Sequence, residues 1–113
     1  MTDCLFCKIA RGEIPAKKVY EDDGILAFYD IAPQAPTHVL VIPKSHVPGV
    51  DGICEENSEI VKRIFVKIPG IARDLGLDHG YRVISNVGPD ACQSVRHLHF
   101  HVLGGAQLSE KMC

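Results

Sequence analysis

Between Arg96 and Gly104 the chain reads Arg-His-Leu-His-Phe-His-Val-Leu-Gly, which places three of its six histidines at His97, His99 and His101 with one apolar residue between each. Side chains of a β-strand alternate between faces, so this spacing sets the three imidazoles on one face and Leu98, Phe100 and Val102 on the other. A helix would scatter the rings, because residues two apart point well away from each other. The β-branched and aromatic residues between them also suit a strand. The segment is therefore expected to be a strand with an apolar back for a core and an imidazole front.

Such a front can bind metal, move protons or attack an electrophile. At about 3.3 Å per residue the outer Cα atoms of a straight strand lie about 13 Å apart, whereas a zinc–nitrogen bond is about 2 Å. One ion cannot take all three rings without a bent strand, although two rings could share one. Clustered titratable groups mark functional sites. At 113 residues there is room for a single domain over 1–113 with a core that folds without staples. The formal charge of −2 and pI near 6.3 show no basic excess, which argues against an extended nucleic-acid surface and leaves room for a local phosphate site. The absence of a secretory apolar region and of any apolar run near ~18 residues points to a soluble cytoplasmic protein without a membrane partner. Five cysteines form an odd set, and their placement beside histidines suits thiols or metal ligands in a reducing compartment better than disulfides.

Leu5, Phe6 and Ile9 stand at helical spacing before Gly12, which predicts a short helix over residues 4–11. Two β-prone runs, 16–21 and 25–30, flank Asp22-Asp23-Gly24 and should pair as a hairpin. A rigid loop, 32–36, leads to an apolar central strand, 38–42, ended by Pro43. From about Glu55 to Leu75 the residues Ile60, Val61, Ile64, Phe65, Ile68, Ile71, Ala72 and Leu75 repeat with helical period, and Pro69 should kink or break that helix. Residues 81–87 read as a strand, and Gly88 to Cys92 as the loop into the histidine segment. Strands, one long helix and strands again predict an α+β fold with a mainly antiparallel five-stranded sheet.

The run Ser94-Val95-Arg96-His97-Leu98-His99-Phe100-His101-Val102-Leu103-Gly104-Gly105 resembles the signature of the histidine triad (HIT) family of nucleotide hydrolases and transferases, in particular its Hint branch. Asp30 to Lys44, Glu13-Ile14-Pro15-Ala16 and Asp74-Leu75-Gly76-Leu77 extend the resemblance over almost the whole chain. It implies a HIT fold with one long and one short helix, a homodimer for whose surface Val61, Phe65 and Ile68 of the long helix are candidates, and hydrolysis of nucleoside 5'-phosphoramidates or related adducts of a purine nucleotide such as AMP or GMP. Cleavage at the α-phosphate would pass through a covalent nucleotidyl-histidine. The alternatives are a dinucleoside polyphosphate hydrolase, which Gly104-Gly105 argues against, and a nucleotide-binding adaptor with little turnover.

Carried over by matching position, His99 is the nucleophile, His101 bonds the phosphate, His97 and His38 complete the pocket, and Ser94 helps protonate the leaving group. Asp30 would accept the ribose hydroxyls, Ile31 would line the base slot, and Asn86 would orient the phosphate. Cys92, Gln93 and Ser94 fall in the loop that receives the α-phosphate. A neutral imidazole suits this chemistry because a carboxylate is repelled by the phosphate oxygens. Zinc would be held by Cys4, Cys7, His46 and His97, also by resemblance; Cys-x-x-Cys alone lacks a second pair of ligands. Taken without the family, His38, Ser94 and Asp30 are ordinary turn or strand-entry residues, and the two cysteines are small core residues. The chain departs from the family where Cys92 replaces the usual Gly, where Ala106 replaces the usual Arg, and in a tail, Ser109 to Cys113, without aromatic or proline.

Overall fold

The computed structural model describes residues 4–111; the outermost residues of the expected domain, including Met112 and Cys113 of the tail, lie outside that range. Helix α1 spans Leu5–Ala10 and helix α2 Ser58–Asp74, with strands β1 Lys18–Glu21, β2 Ile25–Tyr29, β3 Thr37–Pro43, β4 Tyr81–Ile84 and β5 Phe100–Gly104. The strands form one antiparallel sheet in the order β1-β2-β3-β5-β4. No helix among the described residues is long and apolar enough to cross a membrane.

Two-residue alternation divides the sheet into two cores. Ile25 and Ala27 of β2, Val39 and Val41 of β3, and Phe100 and Val102 of β5 pack on one face against Ile64, Ile68, Ile71 and Ala72 of α2. Leu26, Phe28, Leu40 and Ile42 pack on the other face against Phe6, Cys7 and Ile9 of α1. The β1–β2 hairpin closes as its Asp-Gly step predicts. The Asp22 carboxylate accepts from the amides of Gly24 and Ile25, each at 2.8 Å, and Arg63 of α2 reaches Asp22 and Asp23. At the outer edge β1 is short, carries a register shift between Lys18 and Tyr20, and exposes Lys18 and Glu21.

Three expectations are corrected. Of the kink or break expected at Pro69 the break does not occur: helix α2 continues through it, because four buried side chains on its inner face outweigh one lost backbone bond. Ile68, expected on an outward dimer surface with Val61 and Phe65, is only 3% exposed and belongs to the core. The histidine segment is a regular strand only from Phe100 onward. Upstream, the Leu98 amide bonds to the Val47 carbonyl instead of a ladder partner, and the Ser85 hydroxyl donates to the His99 carbonyl at 2.8 Å, which also ends β4 at Ile84. The split of faces survives all the same, with Leu98 in the α2 core.

Ile64 is fully buried at the centre of the α2 face. Ile64→Ala is expected to lower unfolding stability by about 2–5 kcal/mol, measured by urea denaturation with an unchanged slope.

Candidate functional site

The three histidines leave the sheet on the α1 side, and backbone groups fix the proton on each ring. A carbonyl can only accept and an amide can only donate, so each such contact assigns a tautomer. His99 Nδ1 lies 2.7 Å from the His97 carbonyl oxygen and must donate to it, which leaves Nε2 with a free lone pair. His97 Nε2 lies 2.8 Å from the Pro43 carbonyl oxygen, so its own lone pair is on Nδ1. The Gln34 amide donates to His38 Nδ1 at 3.0 Å, so His38 carries its proton on Nε2 and gives it to His101 Nδ1 at 2.8 Å. His101 is thereby left with an Nε2–H.

Sheet register makes the last contact. His101 pairs directly with Leu40, so His38, two residues away on the same face, is its diagonal neighbour. Burial, together with the neighbouring His99 and His38 rings, pushes the His101 pKa down to about 4, with Asp30 opposing. Burial also lowers His38, again against Asp30. Both rings are therefore neutral at pH 7, as the assigned tautomers require.

A cleft of about 490 Å³ opens in front of His99 and His101. Leu5, Phe6 and Ile9 of α1 form one wall and Phe28 to Ile31 another, with Ser94 and Val95 at the end. Ser94 reaches the same cleft as His99 because residues 95–97 bend. Asp30 lies at the rim, where one oxygen accepts from the Ala32 amide at 2.8 Å and the other is 3.4 Å from His38 Nε2. Ile31 is fully exposed there. Other predicted residues stand outside the lining. His97 is completely buried, its ring nitrogens facing the Pro43 carbonyl and the cysteine pair, and His38, also buried, meets the cleft only through its contact with His101. Asn86 sits two residues beyond β4, half-buried. Gln93 spends its side chain on the Pro48 and Val95 carbonyls and the Gly88 amide and so staples the loop. Cys92 is exposed and, at φ 59°, is the only non-glycine residue with positive φ among the described residues. That left-handed conformation favours glycine.

Two clusters could be taken for metal sites. In the first, Cys4, Cys7, His46 and His97 bring one ligand atom each to within 4.8 Å of one another. Sulfur–nitrogen separations are 3.3 Å (Cys4–His97), 3.5 Å (Cys7–His97) and 3.3 Å (Cys7–His46). Bonds of about 2.3 Å to sulfur and 2.05 Å to nitrogen give a tetrahedral edge of about 3.6 Å. With the His97 lone pair on Nδ1, this is a closed Cys₂His₂ set that can hold zinc. Burial and the adjacent Cys4 raise the Cys7 thiol, so cation binding displaces protons. The second cluster, Asp30, His38 and His101, fails the same test. Its two nitrogens are already hydrogen-bonded at 2.8 Å, and the Gln34 amide holds the His38 proton on the atom that would have to ligate. It is a hydrogen-bonded chain from the Gln34 amide through His38 to His101.

Phe6 was not anticipated as a site residue. Its ring meets His99 edge-on at 5.1 Å and His97 at 5.9 Å between centroids, wedged between cleft and cysteine pair. In the sequence it carries no signal beyond its place in a helical apolar pattern.

Residues 11–108 match the family model described as the HIT domain. A 14 kDa zinc-binding protein of Zea mays is 47% identical over 108 residues, covering 93% of this chain and 84% of its own. An uncharacterised HIT-like protein of Synechococcus elongatus is 47% identical over 107 residues, covering 95% and 94%. Among solved structures, a HIT family hydrolase from Clostridium thermocellum superposes with a TM-score of 0.95 at 44% identity, covering 100% of this chain and 99% of its own. A histidine triad protein from Clostridium difficile does so with 0.94 at 50% identity, covering 99% and 98%.

Elemental analysis of protein purified without chelators is expected to find one zinc per chain, lost in Cys7→Ser. A second expectation concerns acid. With His101 near 4 when folded and about 6.5 when unfolded, the unfolded chain binds the extra proton between those values. Stability is thus complete above about pH 6.5 and falls towards pH 4, by up to about 3 kcal/mol from this group. Denaturant titrations across that range, with His101→Gln flattening the slope, measure it.

Proposed function

The chain belongs to the histidine triad (HIT) family, and we propose that it is a nucleotidyl hydrolase that releases AMP or GMP from nucleoside 5'-phosphoramidates and related adducts. The observation that carries this reading is His99, whose Nε2 lone pair opens into a nucleotide-sized cleft while its Nδ1 proton is held by a peptide carbonyl.

In the first step Nε2 of His99 attacks the α-phosphorus and the P–N bond to the leaving amine breaks. The amine departs with a proton supplied on the Ser94 side. The phosphorylated imidazole keeps its Nδ1 proton and a positive charge, which the His97 carbonyl stabilises, and this charge makes it a good leaving group. His101 Nε2–H donates to a non-bridging phosphate oxygen, and its relay through His38 to the Gln34 amide keeps that proton pointing outward. In the second step water attacks phosphorus, the P–N bond to His99 breaks, and the nucleotide leaves. Dividing the displacement in two lowers each barrier. Asp30 at the rim suits ribose hydroxyls, and the apolar walls, with Ile31 at their end, suit a base. Asn86 and the loop around Cys92 would close over the phosphate from the far side. Zinc, when bound, supplies a structural cross-link: Cys4 and Cys7 tether α1 to the peptide that carries His97.

Homodimerisation belongs to the same reading. Phe65 and Val66 of α2 are 49% and 66% exposed, and the edge strand β4 exposes Tyr81 and Val83 at 38% and 36%. Phe65 meets Phe100 edge-on at 5.0 Å between centroids, joining this outer surface to the histidine segment.

Mass spectrometry of enzyme quenched with an AMP-amine substrate should find a nucleotidyl adduct on His99. His99→Ala should abolish the adduct while retaining nucleotide binding, and His101→Ala should slow turnover on the order of 10²- to 10³-fold. An adduct surviving in His99→Ala defeats the assignment, and a dinucleoside polyphosphate assayed alongside distinguishes the other hydrolase. Sedimentation at micromolar concentration should give a dimer that Val66→Glu weakens.

A further inference from the structure

The cysteine pair has a second chemistry. Cys4 is the N-cap of α1, and Cys7, one turn on, donates its amide to Cys4 Sγ at 3.3 Å. Two cysteines spaced i, i+3 across the first turn of a helix lie about 5–6 Å apart at Cα, inside the range a disulfide spans. Buried pairs usually escape oxidants for want of access. Here Cys4 and His46 line an open surface cleft of about 760 Å³, together with Leu5, Pro48, Ser94 and Arg96. That cleft shares Leu5, Ser94 and Val95 with the one in front of His99.

We propose that Cys4 and Cys7 form a peroxide-sensitive modification site, at which oxidation joins the two sulfurs and expels the bound zinc. The balance is two zinc-bound thiolates, one hydroperoxide and two protons giving one disulfide, one free zinc ion, and water plus the reduced hydroxyl compound. Cys4 sulfur attacks the peroxide oxygen, breaking the O–O bond and giving a sulfenic acid. Cys7 sulfur then displaces water from it. With both sulfurs consumed, only His46 and His97 remain as ligands, too few to retain the ion.

The consequence reaches the cleft through one peptide. His97 Nδ1 loses its partners, and the His97 carbonyl is the acceptor that orients His99. Oxidation is therefore expected to slow formation of the His99 adduct by about tenfold or more. This last effect alone rests on the function proposed above.

The test uses zinc-loaded protein and hydrogen peroxide as the probe, with a chromogenic zinc chelator following release and peptide mass mapping following the thiols. The expected result is one zinc released per Cys4–Cys7 disulfide, a loss of 2 Da confined to that peptide, and recovery with dithiothreitol and zinc. Cys7→Ser should show no such disulfide. His46→Ala, which keeps both thiols, should form it faster, so a folding defect in one variant does not decide the matter. Retained zinc overturns the proposal, as does oxidation confined to Cys54 and Cys92, or sulfinic acid at Cys4 or Cys7 in place of the disulfide. An intact disulfide response in protein without hydrolase activity would sink the proposed function and leave this site standing.

Discussion

Everything in the site depends on where three peptide groups put three protons. The carbonyls of His97 and Pro43 and the amide of Gln34 each have one hydrogen-bonding role, and the imidazole facing each of them has two. The rigid partner therefore dictates the tautomer of the adaptable one. Chemically identical rings thus come to differ: His99 keeps an open Nε2 lone pair, His101 an Nε2–H, and His97 an Nδ1 lone pair facing the cysteines. Burial supports the arrangement by disfavouring a second proton on His97 and His101, each held near 4.

The peptide of residue 97 joins the two halves of the site. Its side chain turns to the cysteine pair and its carbonyl to His99, so α1, the cysteines and His99 are mechanically one unit. A six-residue helix cannot hold itself together in water. It is fastened by Phe6 and Ile9 in the core and by Cys4 and Cys7 in the ligand cluster. Because the same helix supplies a wall of the cleft, its fastening and the shape of the cleft cannot be separated.

Much of this was legible in the sequence where local rules govern. The Asp-Gly hairpin, the long amphipathic helix and the division of Leu98, Phe100 and Val102 from the histidines all follow from short-range spacing, and all are found. What the spacing could not give were contacts to backbone atoms, since every residue has a carbonyl and nothing marks Pro43 or Gln34 as special. The regular strand begins later than the alternation predicts for the same reason: the Val47 carbonyl and the Ser85 hydroxyl take ladder positions from distant segments. The partnership of His46 and His97 with the cysteines came from family resemblance, because ligands so far apart in sequence leave no local pattern. Phe6 left no trace except apolarity, and the core and the cleft claim that equally.

The two edges of the sheet differ in kind. At β1 a register shift and the charged ends Lys18 and Glu21 spoil the edge for pairing, a common protection against runaway strand addition. At β4 the edge is regular and presents Tyr81 and Val83. A sheet with one good edge can extend only once. Two chains meeting there would consume both good edges and leave the blunt ones outside, so any self-association through the sheet would end in a closed pair with two-fold symmetry and not in a fibre.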